Sequence, residues 1–247
     1  MRILRAIAVL TGLILPLLSH AQAAQLKVLE SNALKTVMDE LGPQFEKATG
    51  NKLVSIVGTT TELRGMIEKG EAFDVAVFTK SALDDLAKQG KIADAPRLAI
   101  ARSGIGVAVR KGAAKPDVST TTAFKSAMLN AASIGYVKQT PTAANMKVIF
   151  DKLGIGDQLQ PKIKLLDVVV SEALTKGEVE VGLTQISEIV PHTTVELAGP
   201  LPADIQVYTV YSAGIAPASH DGSAALVKFL TSPAAVSVLK ANGMEPL

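Results

Sequence analysis

Strand-like and helix-like patterns alternate along most of this 247-residue chain, and that alternation limits the folds open to it. Short apolar runs typical of strands are each followed by apolar residues at helical spacing, such as Leu34, Val37, Leu41 and Phe45. Strand-like runs lie at residues 26–29, 52–57, 74–78, 106–109, 134–137 and 179–183. Alternating β and α units favour an α/β fold with largely parallel sheets flanked by helices.

Two extended runs are longer than an ordinary strand of five or six residues. They cover Leu98 to Val109 and Ile205 to Ile215, and both contain glycine. Long runs on either side of a self-contained α/β block predict two crossings between two lobes. We therefore expect a first lobe formed by residues 24–105 and 211–247, and a second lobe formed by residues 106–210.

The first 23 residues predict export. Arg2 and Arg5 precede an apolar run from Ala6 to Leu18, and the small-residue site Ala21-Gln22-Ala23 follows. This order is typical of a cleaved secretory signal peptide. The alternative is a membrane anchor, but the apolar run is shorter than the roughly 20 residues that span a bilayer. The mature protein is then expected in the periplasm.

Composition excludes several kinds of function. Removal of Arg2 and Arg5 with the signal peptide leaves 23 basic and 23 acidic residues, so no charge excess favours nucleic acid. The chain has no cysteine, which excludes thiol catalysis and cysteine-bound metals. His192 and His220 remain and are isolated, so we expect neither a metal site nor a cofactor.

Polar residues recur where a predicted strand ends and a helix begins. Ser31 follows the first strand, Thr59 and Thr60 follow the second, and Thr140-Pro141-Thr142 opens a later helix. Thr59 and Glu62 have capping-box spacing, and Thr140 suits an N-cap with Pro141 at the first helical position. Capping is the simplest explanation for each residue alone. Several helix N-termini at one sheet edge would also bind an anion.

No catalytic set is evident. A hydrolase that used Ser31 would need a base within hydrogen-bonding reach, and the sequence offers no candidate. Asp74 is expected to make a structural hydrogen bond. Arg64 and Arg102 could hold a carboxylate ligand, but an ordinary ion pair is the simpler expectation for each.

The order of several segments resembles the type II periplasmic solute-binding proteins of ABC transporters, especially their molybdate-binding branch. The segments that carry the resemblance are residues 45–50, 58–63, 67–70, 73–78, 177–182, 229–233 and 243–246. The resemblance implies a two-lobed α/β fold with two mostly parallel sheets, flanking helices and a cleft between the lobes.

The same resemblance implies a set of ligand-binding residues. Ser31, with Thr59 or Thr60, falls at the two turns that hold the oxyanion in molybdate binders, and Thr142 and Ala143 match the helix start in the second lobe. Gln185 stands where those proteins have a tyrosine. This difference favours another small oxyanion or a small carboxylate as the ligand.

The leading hypothesis is therefore a monomeric, non-enzymatic receptor that binds a small anion, closes and docks on the membrane permease of an ABC importer. Two alternatives stay open at this point: a secreted hydrolase on the same fold, and a binding module for a chemoreceptor.

Overall fold

The computed structural model describes residues 25–93, 97–219 and 221–247. The predicted signal peptide and His220 lie outside these ranges. Within them the strands are β1 (Gln25–Ser31), β2 (Lys52–Gly58), β3 (Val75–Thr79), β4 (Leu98–Arg110), β5 (Ile134–Val137), β6 (Ile163–Leu166), β7 (Val181–Gln185), β8 (Val195–Pro200), β9 (Tyr208–Ile215) and β10 (Glu245–Pro246). The helices are α1 (Lys35–Thr49), α2 (Thr60–Glu68), α3 (Lys80–Lys88), α4 (Thr121–Asn130), α5 (Pro141–Lys152), α6 (Gly156–Leu159), α7 (Val170–Thr175), α8 (Asp221–Leu230) and α9 (Pro233–Ala241).

The strands form two sheets that share β4. The first has the order β2-β1-β3-β9-β4, with β10 also paired to β4, and the second continues as β4-β7-β5-β6, with β8 also paired to β4. Parallel pairing is confined to β2-β1-β3 and to β6-β5-β7. The expectation of mostly parallel sheets is corrected here, because β4 and β9 pair antiparallel with their neighbours and make both sheets mixed.

Each sheet is covered by helices on both faces and so forms one lobe. In the first lobe, α1, α8 and α9 bury one face around Phe45 and Leu226, and α2 and α3 bury the other around Leu63 and Leu83. In the second lobe, α4, α5 and α6 cover one face and α7 the other. These separate cores agree with the two-lobed prediction, and the residue boundaries proposed for the lobes stay a prediction.

A side chain joins the two segments that cross between the lobes. The β4–β9 ladder ends at the pair Gly104 and Tyr208. Beyond it, Gln206 accepts a 2.8 Å hydrogen bond from the backbone N–H of Ile105 and donates one of 3.0 Å to the Ile105 carbonyl. A Cβ atom at Gly104 would lie 2.9 Å from the Gln206 amide, so a larger residue there would displace this amide from its two bonds. The second crossing is therefore the loop before Tyr208, which the Gln206 side chain binds to β4, and the predicted extended run from Ile205 becomes a strand only at Tyr208.

Several predicted elements differ in detail from the structure. The first helix begins with a 3₁₀ turn, Asn32–Leu34, before α1. The strand predicted at residues 179–183 lies two residues later, at Val181–Gln185. Within the described ranges no single helix is long and apolar enough to cross a membrane, and the bent pair Gly222–Leu230 and Pro233–Ala241 meets that test only jointly.

Candidate ligand-binding cleft

A small cavity of about 40 Å³ lies between the lobes, where strands of both sheets end. The C-terminal residues of β1, β3, β5 and β7 contribute to its wall, as do the helix starts that follow β1, β2, β3 and β5. The lining residues are Ser31, Asn32, Ala33, Thr59, Thr60, Thr79, Val137, Thr140, Pro141, Thr142, Thr184, Gln185, Glu188 and Tyr211. The cavity occupies the sheet edge at which α/β proteins bind ligands.

Five of the six residues predicted for the site line this cavity: Ser31, Thr59, Thr60, Thr142 and Gln185. Ala143 is not among the lining residues. Its N–H donates to the Thr140 hydroxyl at 3.2 Å, which is the N-cap bond of α5. The structure thus brings residues from four separate predicted strand ends to one place.

The hydroxyls at the four helix starts fall into two groups. Thr59 forms a capping box with Glu62, and Thr140 caps α5 while it donates to the Val137 carbonyl at 2.8 Å. Ser31 and Thr79 precede helical residues in the same way but make no side-chain capping bond. They are only 6% and 4% exposed. Both residues are therefore buried at the cavity, and neither hydroxyl serves as a helix cap.

Thr79 was missed by the sequence analysis, although the signal that identified Ser31 also applies to it. It directly follows the buried run Val75-Ala76-Val77-Phe78 and precedes a helix. The pattern of a polar residue between a strand and a helix therefore also identifies Thr79.

Gln185 carries a buried polar atom without a partner. Its side-chain Nε2 donates to the Thr142 hydroxyl at 3.1 Å, and the residue is 4% exposed. Its Oε1 has no hydrogen-bond partner among the described residues. An unpaired buried carbonyl costs on the order of 1–3 kcal/mol, so a donor supplied by a ligand would restore that free energy.

Glu188 and Tyr211 also line the cavity, and sequence reasoning identified neither. The Thr184 hydroxyl donates to the Glu188 carboxyl. Burial raises the pKa of Glu188, while the bonds from Thr184 and from the Gln185 backbone oppose that rise. Burial raises the pKa of Tyr211 well above its ordinary value, and the negative charge of Glu188 adds to this effect. Glu188 is partly exposed. Among the described residues that line the cavity, it is the one with a carboxyl group.

No lysine, arginine or histidine of the described residues lines this cavity. Arg64 pairs with Glu68 and Asp85, while Arg102 pairs with Glu245 and stacks on the Tyr208 ring at 4.3 Å. Both are the ion-pair partners that the sequence predicted as the simpler alternative. The positive ends of the helix dipoles and the free hydroxyls are then what the cavity offers to an anion.

These contacts do not support the alternative of a hydrolase that uses Ser31. Ser31 shares the cavity with Glu188, but no carboxylate or imidazole of the described residues is hydrogen-bonded to its hydroxyl. Asp74 accepts a 2.7 Å bond from the Lys27 backbone N–H, the structural role predicted for it.

Comparison with known proteins places the chain among extracellular binding proteins. The model of the family described as bacterial extracellular solute-binding protein matches residues 26–245. An aconitate isomerase from a Pseudomonas species is 29% identical over 240 residues, which cover 94% of this chain and 92% of that protein. The molybdate-binding protein ModA of Escherichia coli is 24% identical over 231 residues and 90% of each chain.

The fold is also similar to that of a molybdate-binding protein. The periplasmic molybdate-binding protein of Azotobacter vinelandii superposes with a TM-score of 0.76 at 20% identity, over 89% of this chain and 98% of that one. This likeness supports the two-lobed α/β architecture, and the sequence resemblance to molybdate binders is confirmed.

Proposed function

This chain belongs to the bacterial extracellular solute-binding protein family, and we propose that it is a receptor that captures a small anion in the cleft between its lobes. The main observation behind this proposal concerns Ser31 and Thr79. Both are buried residues at helix N-termini, both lack a capping bond, and they meet in one cavity. Hydroxyls and helix dipoles stabilise an anion without a basic side chain.

We further propose that a carboxylate with its own hydroxyl or acid proton suits the cavity better than molybdate. The unpartnered Oε1 of Gln185 is an acceptor, and it repels a fully ionised tetrahedral oxyanion. A ligand with its own hydroxyl or acid proton would satisfy it. On this proposal residues 1–23 direct export to the periplasm, and the closed monomer delivers its ligand to the permease of an ABC importer. A role in chemoreception would use the same cleft.

Calorimetry and thermal unfolding with molybdate, tungstate, sulfate and small carboxylates test this function. A true ligand at 100 times its dissociation constant stabilises the native state by about 2.7 kcal/mol, and the unfolding temperature rises accordingly. If no small anion raises that temperature, the receptor proposal is wrong.

A second candidate function is that of an isomerase, and the position of Glu188 in the cavity favours it. The relative with 29% identity is named an aconitate isomerase. An isomerase that moves a proton between two carbons needs a group that accepts the proton and returns it. Glu188 lines the cavity, and burial raises its pKa above the ordinary value of a carboxyl.

Incubation with cis- or trans-aconitate in deuterated water tests the isomerase directly. An enzyme would interconvert the isomers and incorporate solvent deuterium, whereas a receptor would bind them unchanged. Glu188→Gln should abolish turnover but keep binding. Turnover that survives this substitution would assign the proton transfer to another residue.

A further inference from the structure

A second cavity adjoins the cleft and enlarges the space available to a ligand. This adjoining cavity measures about 130 Å³ and shares Asn32, Val137, Thr184 and Glu188 with the cleft. A water molecule needs about 10–15 Å³ of such space, so the cleft alone holds about three waters, or one carboxylate group. An anion with a second carboxylate would need the neighbouring space.

The adjoining cavity contains the groups that a second carboxylate would require. Ser187 lines it and is 3% exposed, and its hydroxyl oxygen has no partner among the described residues. Lys35, at the start of α1, lines it too and supplies a positive charge that the cleft lacks. That lysine also pairs with Asp39 at 2.5 Å on a solvent-exposed helix face.

His192 completes the polar wall. Burial lowers its pKa, and the charge of Lys35 lowers it further, so the imidazole is neutral at neutral pH. A neutral imidazole can donate one hydrogen bond to a carboxylate oxygen. Among the described residues, the cavity thus offers the Lys35 cation, the neutral His192 imidazole and the unpartnered Ser187 hydroxyl beside the shared Glu188.

We propose that the ligand is a dicarboxylate or tricarboxylate that places one carboxylate in the cleft and another in the adjoining cavity, against Lys35 and Ser187. This inference rests on the proposed anion-binding function. It makes Lys35, Ser187 and His192 determinants of specificity that bind ligand in addition to the cleft residues.

Calorimetry with acetate, succinate and propane-1,2,3-tricarboxylate, with sulfate and molybdate as comparison, tests the proposal. The two polycarboxylates should bind at least about tenfold more tightly than acetate, because a bond to a charged group is worth about that factor. The imidazole signals of His192 should shift to a higher pKa when succinate binds and stay in place when acetate binds.

Matched variants separate the cavity from general electrostatics. Lys35→Met and Ser187→Ala should each reduce the preference for succinate over acetate, the first by about tenfold. Lys80→Met is the control, since Lys80 also begins a helix and pairs with an aspartate four residues later, at 2.5 Å, but does not line the adjoining cavity. It should leave the preference unchanged.

The outcomes distinguish this inference from the function beneath it. If no anion binds, the proposed function is wrong and the inference fails with it. If acetate, sulfate or molybdate binds as tightly as the polycarboxylates, or if Lys35→Met and Lys80→Met have equal effects, anion binding stands and the second carboxylate site is wrong.

Discussion

The hydroxyl of Thr61 donates a 2.8 Å hydrogen bond to the backbone carbonyl of Gln139 and so joins the two lobes beside the cleft. Thr61 lies in the first turn of α2, and Gln139 precedes the N-cap of α5. Gln139 has a φ of 56°, a left-handed conformation that costs a residue with a side chain about 1–2 kcal/mol. The contact therefore fixes a loop of the second lobe against a helix of the first.

Loss of this contact should favour an open form. Thr61→Val removes the donor with little change in size, and a hydrogen bond of this kind contributes about 0.5–1.5 kcal/mol. We expect ligand affinity to fall by that amount and the radius of gyration from X-ray scattering to increase without ligand. Thr121→Val is the control, because Thr121 donates to Asp204 within one lobe. Equal losses of affinity in both variants would contradict a closing role for Thr61.

Ser31 and Thr59 should separate ligand binding from capping. Ser31→Ala removes a hydroxyl that makes no capping bond, so affinity should fall by about 1–3 kcal/mol with little loss of stability. Thr59→Ala breaks the capping box, so the free energy of unfolding should fall by about 1 kcal/mol while affinity changes less. Calorimetry and denaturant titration on both variants measure the two effects. Unchanged affinity in Ser31→Ala would place the ligand elsewhere.

Gln185 should select against fully ionised oxyanions. Gln185→Ala removes the unpartnered Oε1 together with the bond to Thr142. We expect carboxylate binding to weaken and molybdate binding to stay weak or improve, as measured by calorimetry side by side. Tight molybdate binding in the natural protein that survives Gln185→Ala would show that the ligand assignment is wrong and that Gln185 lies outside the site.

Glu30 should make stability depend on pH. It is 1% exposed and accepts a 2.9 Å bond from the Ser55 hydroxyl, and burial raises its pKa to about 7. The native state then holds a proton that the unfolded chain has already released between about pH 4.5 and 7. Stability should therefore fall as pH rises through this range, by about 3 kcal/mol in total from this residue.

Glu30→Gln tests that dependence, because the amide cannot ionise. Denaturant unfolding at pH 5 and pH 8 should show a smaller difference for the variant than for the natural protein. Glu46→Gln is the control, because hydrogen bonds from Leu53 and Lys52 lower the pKa of Glu46 instead of raising it. An unchanged pH profile in Glu30→Gln would mean that the carboxyl is ionised in the native state at neutral pH.

Processing is the remaining prediction. Ala21 and Ala23 satisfy the small-residue rule for signal cleavage, so exported protein should begin at Ala24. Intact mass measures this directly. Protein that keeps residues 1–23 and stays in the membrane fraction would contradict the receptor proposal.

Local pattern identified the elements that carry much of this site. The runs that became β1, β2, β3 and β5 are apolar and short, and the caps at Thr59 and Thr140 depend on residues within three positions of each other. Their geometry is set by neighbours in sequence, so spacing alone predicts it. By contrast, β8, α4 and α7 were not predicted, because their patterns are short or weakly periodic.

The sequence by itself determined the alternating α/β architecture, the two lobes and the helix starts at which Ser31, Thr59, Thr60 and Thr142 stand. Only the tertiary structure decided that Glu188 and Tyr211 face the same cavity as Ser31, more than 150 residues away in the chain. It also decided that the Thr59 hydroxyl is committed to its cap while those of Ser31 and Thr79 make no capping bond. The physical reason is that hydrogen bonds, burial and pKa depend on which groups meet in space, and periodicity reports only which face of its own element a residue occupies.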